Sequence, residues 1–362
     1  MRDETPDFGW VGDLLPGLLA APPAAARLPA AADWALVPVL LARHRLVSLV
    51  CSRLPPDVMP AEIEATLRRQ RAHLARRSLM QIAEAARLTA LLEQAGLACL
   101  LLKGAPLSVR AYGDPALRDC RDMDLLVAPG DFGAAERLLR AAGLTAVKPR
   151  RDDLPALRQR YSHEVVLRTP AGVLVELKSR LHATAALQQV SVEDLLMRRQ
   201  SVVAAGAALP AMAEEDLLPY LCFHGARHCW FRLRWLADVA ALLRTAGTGG
   251  AEACFAAMER CGGAVPALEA MALAHDWLGV AIPGHLLARA RRTRAVRARR
   301  ARIERAVRAL AAQDDPMRRA DFQRNMDLAE YRLRPDPGYR LAVLERQAAV
   351  RMRRLFLARG ES

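Results

Sequence analysis

The sequence predicts an α+β fold: a small mixed β-sheet core with helical regions on both sides of it in the chain. Three observations lead there. Residues 97–205 alternate short apolar runs with helical stretches and turn-forming residues. The stretches before and after carry apolar residues at helical spacing. Aromatic residues are only 5% while Ala, Leu and Arg dominate, a composition that favours helix. The implied boundaries are 1–96 for the N-terminal helical region, 97–205 for the core and 206–362 for a C-terminal helical domain.

Residues 1–30 are rich in Pro, Ala and Gly and are expected to be irregular in part. From Asp33 to Leu97 the pattern is helical, and Ile63, Leu67, Leu74, Leu79, Ile82, Leu88 and Leu92 form a broad stripe that Gly96 ends. The run Leu97, Cys99, Leu100, Leu101, Leu102 reads as a strand leading into Lys103-Gly104, a helical segment and the loop Gly113–Arg121. Asp122–Val127 reads as the next strand. Gly130–Ala142 is a helix with a Pro129-Gly130-Asp131 entry and a Gly143 stop. Leu144–Val147, His163–Leu167 and Val173–Leu177 read as strands. The last two are joined by Thr169–Gly172, where Pro170 presets φ and Gly172 permits positive φ.

From Glu214 onward helices are expected over Glu214–Arg244, Ala251–Cys261 and Pro266–Leu278. Thr245–Gly250 is a loop and not a phosphate cradle, since no Lys follows it and no strand precedes it. Arg289–Arg308 holds ten arginines set mainly among alanines. It reads either as a solvated helix with a stripe at Ala290, Ala295, Ala298, Ile303, Ala306 and Leu310, or as a patch for an anionic partner. Tyr339–Leu357 has the same character.

The chemistry concentrates between residues 101 and 177. Strand alternation sends Asp122 and Asp124 to one face and Met123 and Leu125 to the other. Two carboxylates on one face repel unless something cationic sits between them, and hard carboxylate oxygens suit Mg²⁺. Glu176 is the lone charge in Val173–Leu177 and would complete a three-carboxylate metal site beside them. Lys103-Gly104, a turn between strand and helix, is a candidate anion site. Arg118 and Arg121 flank the loop before the aspartates and would bind phosphate or neutralise the acids. Tyr112 is either a core aromatic or a base-stacking one. His224 and His228 lie i, i+4 on one helix face, but no remote pair completes a zinc set. With Arg234 and Asp238 they are expected to form a polar helix face.

Five segments taken in order, LLKGAPL, AYGDPALR, RDMDLLV, VELKSRLH and LCFHGARHCWFRLRWLADVA, resemble the bacterial nucleotidyltransferase-like family of the DNA polymerase β-like nucleotidyltransferase superfamily. The core of the resemblance covers Leu97–His182. It implies Mg²⁺-dependent transfer of a nucleoside monophosphate from an NTP, with ATP the expected donor, to an acceptor hydroxyl, releasing pyrophosphate. Asp122, Asp124 and Glu176 would hold two Mg²⁺ ions and act as the catalytic acids; Lys103, Gly104, Arg118 and Arg121 would meet the nucleotide. The acceptor would be a small molecule or peptide natural product, or tRNA. The alternative is a degenerate fold serving as a nucleotide- or RNA-binding module. This chain departs from similar sequences in having Ala105 after Gly104, and Lys178 where a His follows the third acid.

The formal net charge of +14 and pI of about 10.3 fit attraction to phosphates, or an arginine-rich composition with solvated helix faces. Seven scattered cysteines suit reduced thiols. With no signal-peptide pattern and no apolar run of ~20 residues, the expectation is a cytoplasmic protein without a membrane span.

Overall fold

The computed structural model describes residue 34 and residues 37–55, 59–147, 163–187, 190–312 and 320–359; the irregular stretch expected over residues 1–30 lies outside them. The fold is mixed α+β. The chain divides into two compact units, each built from several segments: one from residues 80–104, 121–216 and 330–362, the other from residues 1–79, 105–120 and 217–329.

The first unit holds a mixed sheet of seven strands: β1 (Cys99–Leu101), β2 (Asp122–Val127), β3 (Thr145–Ala146), β4 (Glu164–Arg168), β5 (Leu174–Lys178), β6 (Gln200–Ala204) and β7 (Ala207–Ala211). Their order is β3-β4-β5-β2-β1-β7-β6. Strands β2 and β5 run parallel, as do β1 and β7, and the other neighbouring pairs are antiparallel. Period-two alternation buries Met123, Leu125 and Val127 on one face with Val165, Leu167, Val175 and Leu177. The helix Phe132–Ala141 buries Ala135 and Leu139 and packs against β5. Its entry is a single 3-10 turn, Pro129–Asp131, and Gly143 leaves it at φ 90°.

The hairpin of β6 and β7 turns on Ala205 and Gly206, both at positive φ, the geometry of a two-residue type I′ turn. The sequence reading did not assign β7, which lies past residue 205. The C-terminal segment is tied down by Thr184, whose Oγ1 donates to Glu330 Oε1 at 2.8 Å and accepts from Arg346 Nε at 3.0 Å.

The second unit is helical. Among its helices are Val37–His44, Val47–Arg53, Ala105–Tyr112, Leu233–Arg260, Ala264–Leu278, Gly284–Arg292 and Arg294–Ala312. Three expectations are corrected. Helix does not run unbroken from Glu214 to Arg244: it stops at Arg227 and restarts at Leu233. Cys229 and Trp230 take positive φ in between. The Trp230 ring lies so close over Gly225 that a Cβ there would come within 2.2 Å, and its Nε1–H donates to Glu269 at 2.9 Å; tertiary contacts override the helical pattern.

The break expected over Thr245–Gly250 narrows to one residue: two helices meet across a kink at Gly247, whose φ of 67° is open to a residue without Cβ. The arginine-rich stretch breaks at Thr293, whose ψ of 109° is extended. Its inner face carries Ala290, Val296, Arg299, Ile303, Ala306 and Val307, while Ala298 is exposed. A fully buried arginine thus sits on the stripe expected to be alanine.

His44 is buried in this unit and accepts the Leu233 N–H on Nδ1 at 3.2 Å. Burial, reinforced by the charges of Arg232 and Arg43, lowers its pKa to about 3. The folded protein therefore binds fewer protons here than the unfolded chain between about pH 3 and the ordinary histidine value of 6.5. Stability falls as pH drops through that window. Against a His44→Asn variant, whose amide can accept the same N–H, the wild type is expected to lose about 1.4 kcal/mol per pH unit below 6.5 in urea titrations. Parallel pH profiles for the two proteins would contradict this.

The seven cysteines are free, five of them buried. Among the described residues no helix is long and apolar enough to cross a membrane.

Candidate active site

Strand register assembles a polar patch on the sheet face opposite the buried one. Asp124 on β2 is the Cα partner of Glu176 on β5, which in turn faces Val166 on β4. One step along, Leu126 pairs with Lys178, and Lys178 with Glu164. Asp122, Asp124, Glu164, Glu176 and Lys178 share this face by parity. The Leu102 N–H donates to the Asp124 carbonyl at 3.1 Å, which carries the chain past Asp124 directly into Lys103 and Gly104.

Two ammonium groups converge on the buried Asp124. Lys103 Nζ lies 2.9 Å from Oδ2 and Lys178 Nζ 2.7 Å from Oδ1. Lys178 also reaches Glu176 Oε2 at 2.8 Å and stands 3.7 Å from Glu164 Oε2. Burial alone would raise the Asp124 carboxyl, but the charges and hydrogen bonds of Lys103 and Lys178 outweigh it and hold the group well below the usual carboxylate range. Glu176 moves the other way. Its burial raises it, Lys178 pulls it down, and the negative charges of Asp124 and Asp122 push it up again.

The expected cation between the acids is thus present as lysine. Asp122, Asp124, Glu164 and Glu176 outnumber the two ammonium groups, so the patch is net negative. Hard oxygens with excess negative charge fit a divalent cation. Among the described residues, no three acidic, histidine or cysteine side chains stand as a ready metal cluster, and Lys178 Nζ sits between Asp124 and Glu176. Asp124 and Glu176 are brought side by side; Asp122 lies two residues earlier at the half-buried start of β2.

Gly104 has φ 85°, and a Cβ built there meets nothing within 4 Å. Its backbone conformation requires glycine, and open space lies above it. Arg121 is exposed immediately before β2. Arg118 lies in the helical unit, where Nε donates to Asp238 Oδ2 at 2.9 Å and Nη1 lies 3.0 Å from Cys120 Sγ, while its buried Nη2 has no partner among the described residues. Tyr112 Oη donates to the other Asp238 oxygen at 2.8 Å. Asp238 and Arg234 therefore hold their helix to the segment 105–120, Arg234 through the Asp119 carbonyl. His224 and His228, with ring centroids 4.9 Å apart, pack around Trp235, His224 edge-on and His228 tilted at 35°.

Sequence reasoning noted Lys178 only as a departure and passed over Glu164. Lys178 was within reach, because it has the parity of Glu176; Glu164 required the β4–β5 register.

The family of uncharacterised nucleotidyltransferases matches residues 30–279 of the chain. Two solved structures are similar to it. The antibiotic-resistance factor ANT(2'')-Ia is 11% identical, over 51% of this chain and 93% of that one, at a TM-score of 0.37. An antigenic nucleotidyltransferase-like protein from Paracoccidioides brasiliensis is 15% identical, over 56% of this chain and 93% of that one, at a TM-score of 0.32. No curated protein matches the chain.

Proposed function

The chain belongs to the family of uncharacterised nucleotidyltransferases, and from that premise we propose that it transfers a nucleoside monophosphate, with ATP as donor, to an acceptor hydroxyl. The acceptor oxygen bonds to the α-phosphorus, the α–β anhydride breaks, pyrophosphate leaves and the hydroxyl proton is lost. Asp122, Asp124 and Glu176 would hold two Mg²⁺ ions; bound there, the metal neutralises the triphosphate and lowers the pKa of the hydroxyl. Lys103 and the backbone around Gly104 receive the phosphates, and exposed Arg121 adds positive charge. The observation that carries this reading is the register of β2 and β5, in which Asp124 and Glu176 are partners on one net-negative face.

The acceptor is a small molecule or peptide natural product, or a tRNA end. Against tRNA stands the pairing within the arginine-rich helices: Arg289 with Glu259, Arg299 with Glu269, Arg300 with Asp276. A second reading, a nucleotide-binding module without transfer, draws on the two ammonium groups already neutralising Asp124. One experiment separates them. Mg²⁺ and α-labelled ATP are incubated with the protein and with fractions of small molecules, peptides or tRNA. Label entering one fraction with release of pyrophosphate supports transfer. ATP binding by calorimetry with no label in any fraction supports the module.

The Gly104→Ala variant separates backbone from ligand effects. Positive φ should cost about 1–2 kcal/mol of stability, read by urea unfolding. Mg²⁺-ATP affinity of the folded fraction should fall about tenfold or more, ~1.4 kcal/mol, because the methyl enters the open space above the turn. Lost stability with unchanged affinity would leave Gly104 a structural turn.

A further inference from the structure

We propose that Lys178 is a built-in counter-cation of the carboxylate patch, competing with a divalent cation for the same oxygens of Asp124 and Glu176, so that metal loading requires its ammonium to withdraw toward Glu164. The inference rests on the metal reading above and adds to it the residue that sets metal affinity.

The geometry points to Lys178 for three reasons. Its Nζ is the meeting point of carboxylates from three adjacent strands: Asp124 at 2.7 Å, Glu176 at 2.8 Å and Glu164 at 3.7 Å. An ammonium donates up to three hydrogen bonds as a compact point charge, the inverse of the hard-oxygen shell that a divalent cation draws around itself. The two cations therefore want the same oxygens and exclude each other.

The second reason is that withdrawal is possible without moving the sheet. Lys178 stands two residues past Glu176, opposite Glu164 in the register, and its four-carbon stem reaches either carboxylate by rotamer change. The Glu164 side chain is 39% exposed, against 12% for Lys178 and 4% for Asp124. It is thus the carboxylate on the solvent side, able to keep the displaced ammonium paired. Third, Lys103 engages Asp124 through Oδ2. Departure of Lys178 frees Oδ1 beside Glu176, while Lys103 still holds the Asp124 side chain in place.

The test measures Mn²⁺ binding by calorimetry, with thermal unfolding alongside, for the wild type, Lys178→Met, Glu164→Gln and the double variant. Lys178→Met should bind Mn²⁺ at least about tenfold more tightly than the wild type. It should melt lower without metal and gain more in Tm from Mn²⁺. Glu164→Gln removes the receiving carboxylate and should weaken Mn²⁺ binding severalfold in the wild-type background, yet leave it unchanged in the Lys178→Met background. Equal affinity in wild type and Lys178→Met overturns the role of Lys178 and leaves the metal reading standing. If Lys178→Met does not fold, Glu164→Gln decides alone: unchanged affinity overturns the proposal. Absence of Mn²⁺ binding in wild type and variants alike overturns the metal reading itself, and this inference with it.

Discussion

Asp124→Asn is expected to reduce nucleotide transfer by at least about a thousandfold, equivalent to ~4 kcal/mol of transition-state stabilisation, and to destabilise the protein as well. From sequence alone the substitution looks benign to the fold, because it relieves repulsion between Asp122 and Asp124. The structure reverses that sign. Asp124 is 4% exposed and neutralises two ammonium groups that are themselves only 10% and 12% exposed. An amide of the same shape cannot balance them. Removing one member of a buried ion pair costs about 3–5 kcal/mol. The lower end applies here, since Lys178 keeps Glu176. Adding Lys103→Met to Asp124→Asn removes the stranded charge and should recover part of the stability but none of the activity. Urea unfolding at pH 7 reads the first effect and pyrophosphate release the second. A fully stable Asp124→Asn protein would mean that the ammonium groups do not depend on this carboxylate.

The largest purely structural effect is expected at Arg299. Its guanidinium, 2% exposed, meets both oxygens of equally buried Glu269. It also donates to the Ala226 carbonyl at 2.6 Å and the Ala329 carbonyl at 2.7 Å. Both carbonyls lie in the last turns of helices, where backbone acceptors lack intrahelical partners. One side chain thus serves a carboxylate and two helix ends, a task suited to a rigid five-donor fork. Arg299→Met should cost about 3–5 kcal/mol by leaving Glu269 charged and buried. The double variant Arg299→Met, Glu269→Leu should recover part of this, with the Ala226 and Ala329 carbonyls still lacking the guanidinium and Ala226 keeping another donor, the Cys229 N–H at 3.2 Å. Arg299→Lys should not rescue, since an ammonium cannot span all three acceptors. A loss below about 1 kcal/mol in Arg299→Met would show that the pair contributes no more than a surface bridge.

What the sequence made legible was local. Alternation in Asp122–Val127 was enough to put both aspartates on one face, and Pro170 with Gly172 was enough to mark the turn between β4 and β5. The long helix Ala61–Gln94 followed from its apolar stripe. What was hidden is held by distant partners. Arg118 meets Asp238 across 120 residues of chain, and Glu269 meets Arg299 across 30; among so many arginines no local signal marks the buried ones. Strand β7 is alanine-rich and contains Pro210, and the turn before it is Ala-Gly rather than Asn-Gly, so propensity argued against the hairpin despite Val202 and Val203 in β6. Cys229 and Trp230 take positive φ without being glycine, a conformation held by the Trp230 N–H on the Gly225 carbonyl and by the packing of the indole on Gly225 and Glu269. At the site itself the need for a cation beside Asp124 was readable. That it would be met by lysines from two separate strand ends depended on register.

The two units are interleaved five times along the chain, at 79/80, 104/105, 120/121, 216/217 and 329/330. No single cut of the gene leaves both of them whole, and any cut between codons 80 and 329 severs both. The carboxylate patch cannot travel as a cassette. A recombination event that moves Asp122–Lys178 into another gene leaves behind the C-terminal residues that Thr184 anchors, and brings none of the helical residues 217–329. Exchange of an internal segment therefore separates residues that share a compact unit.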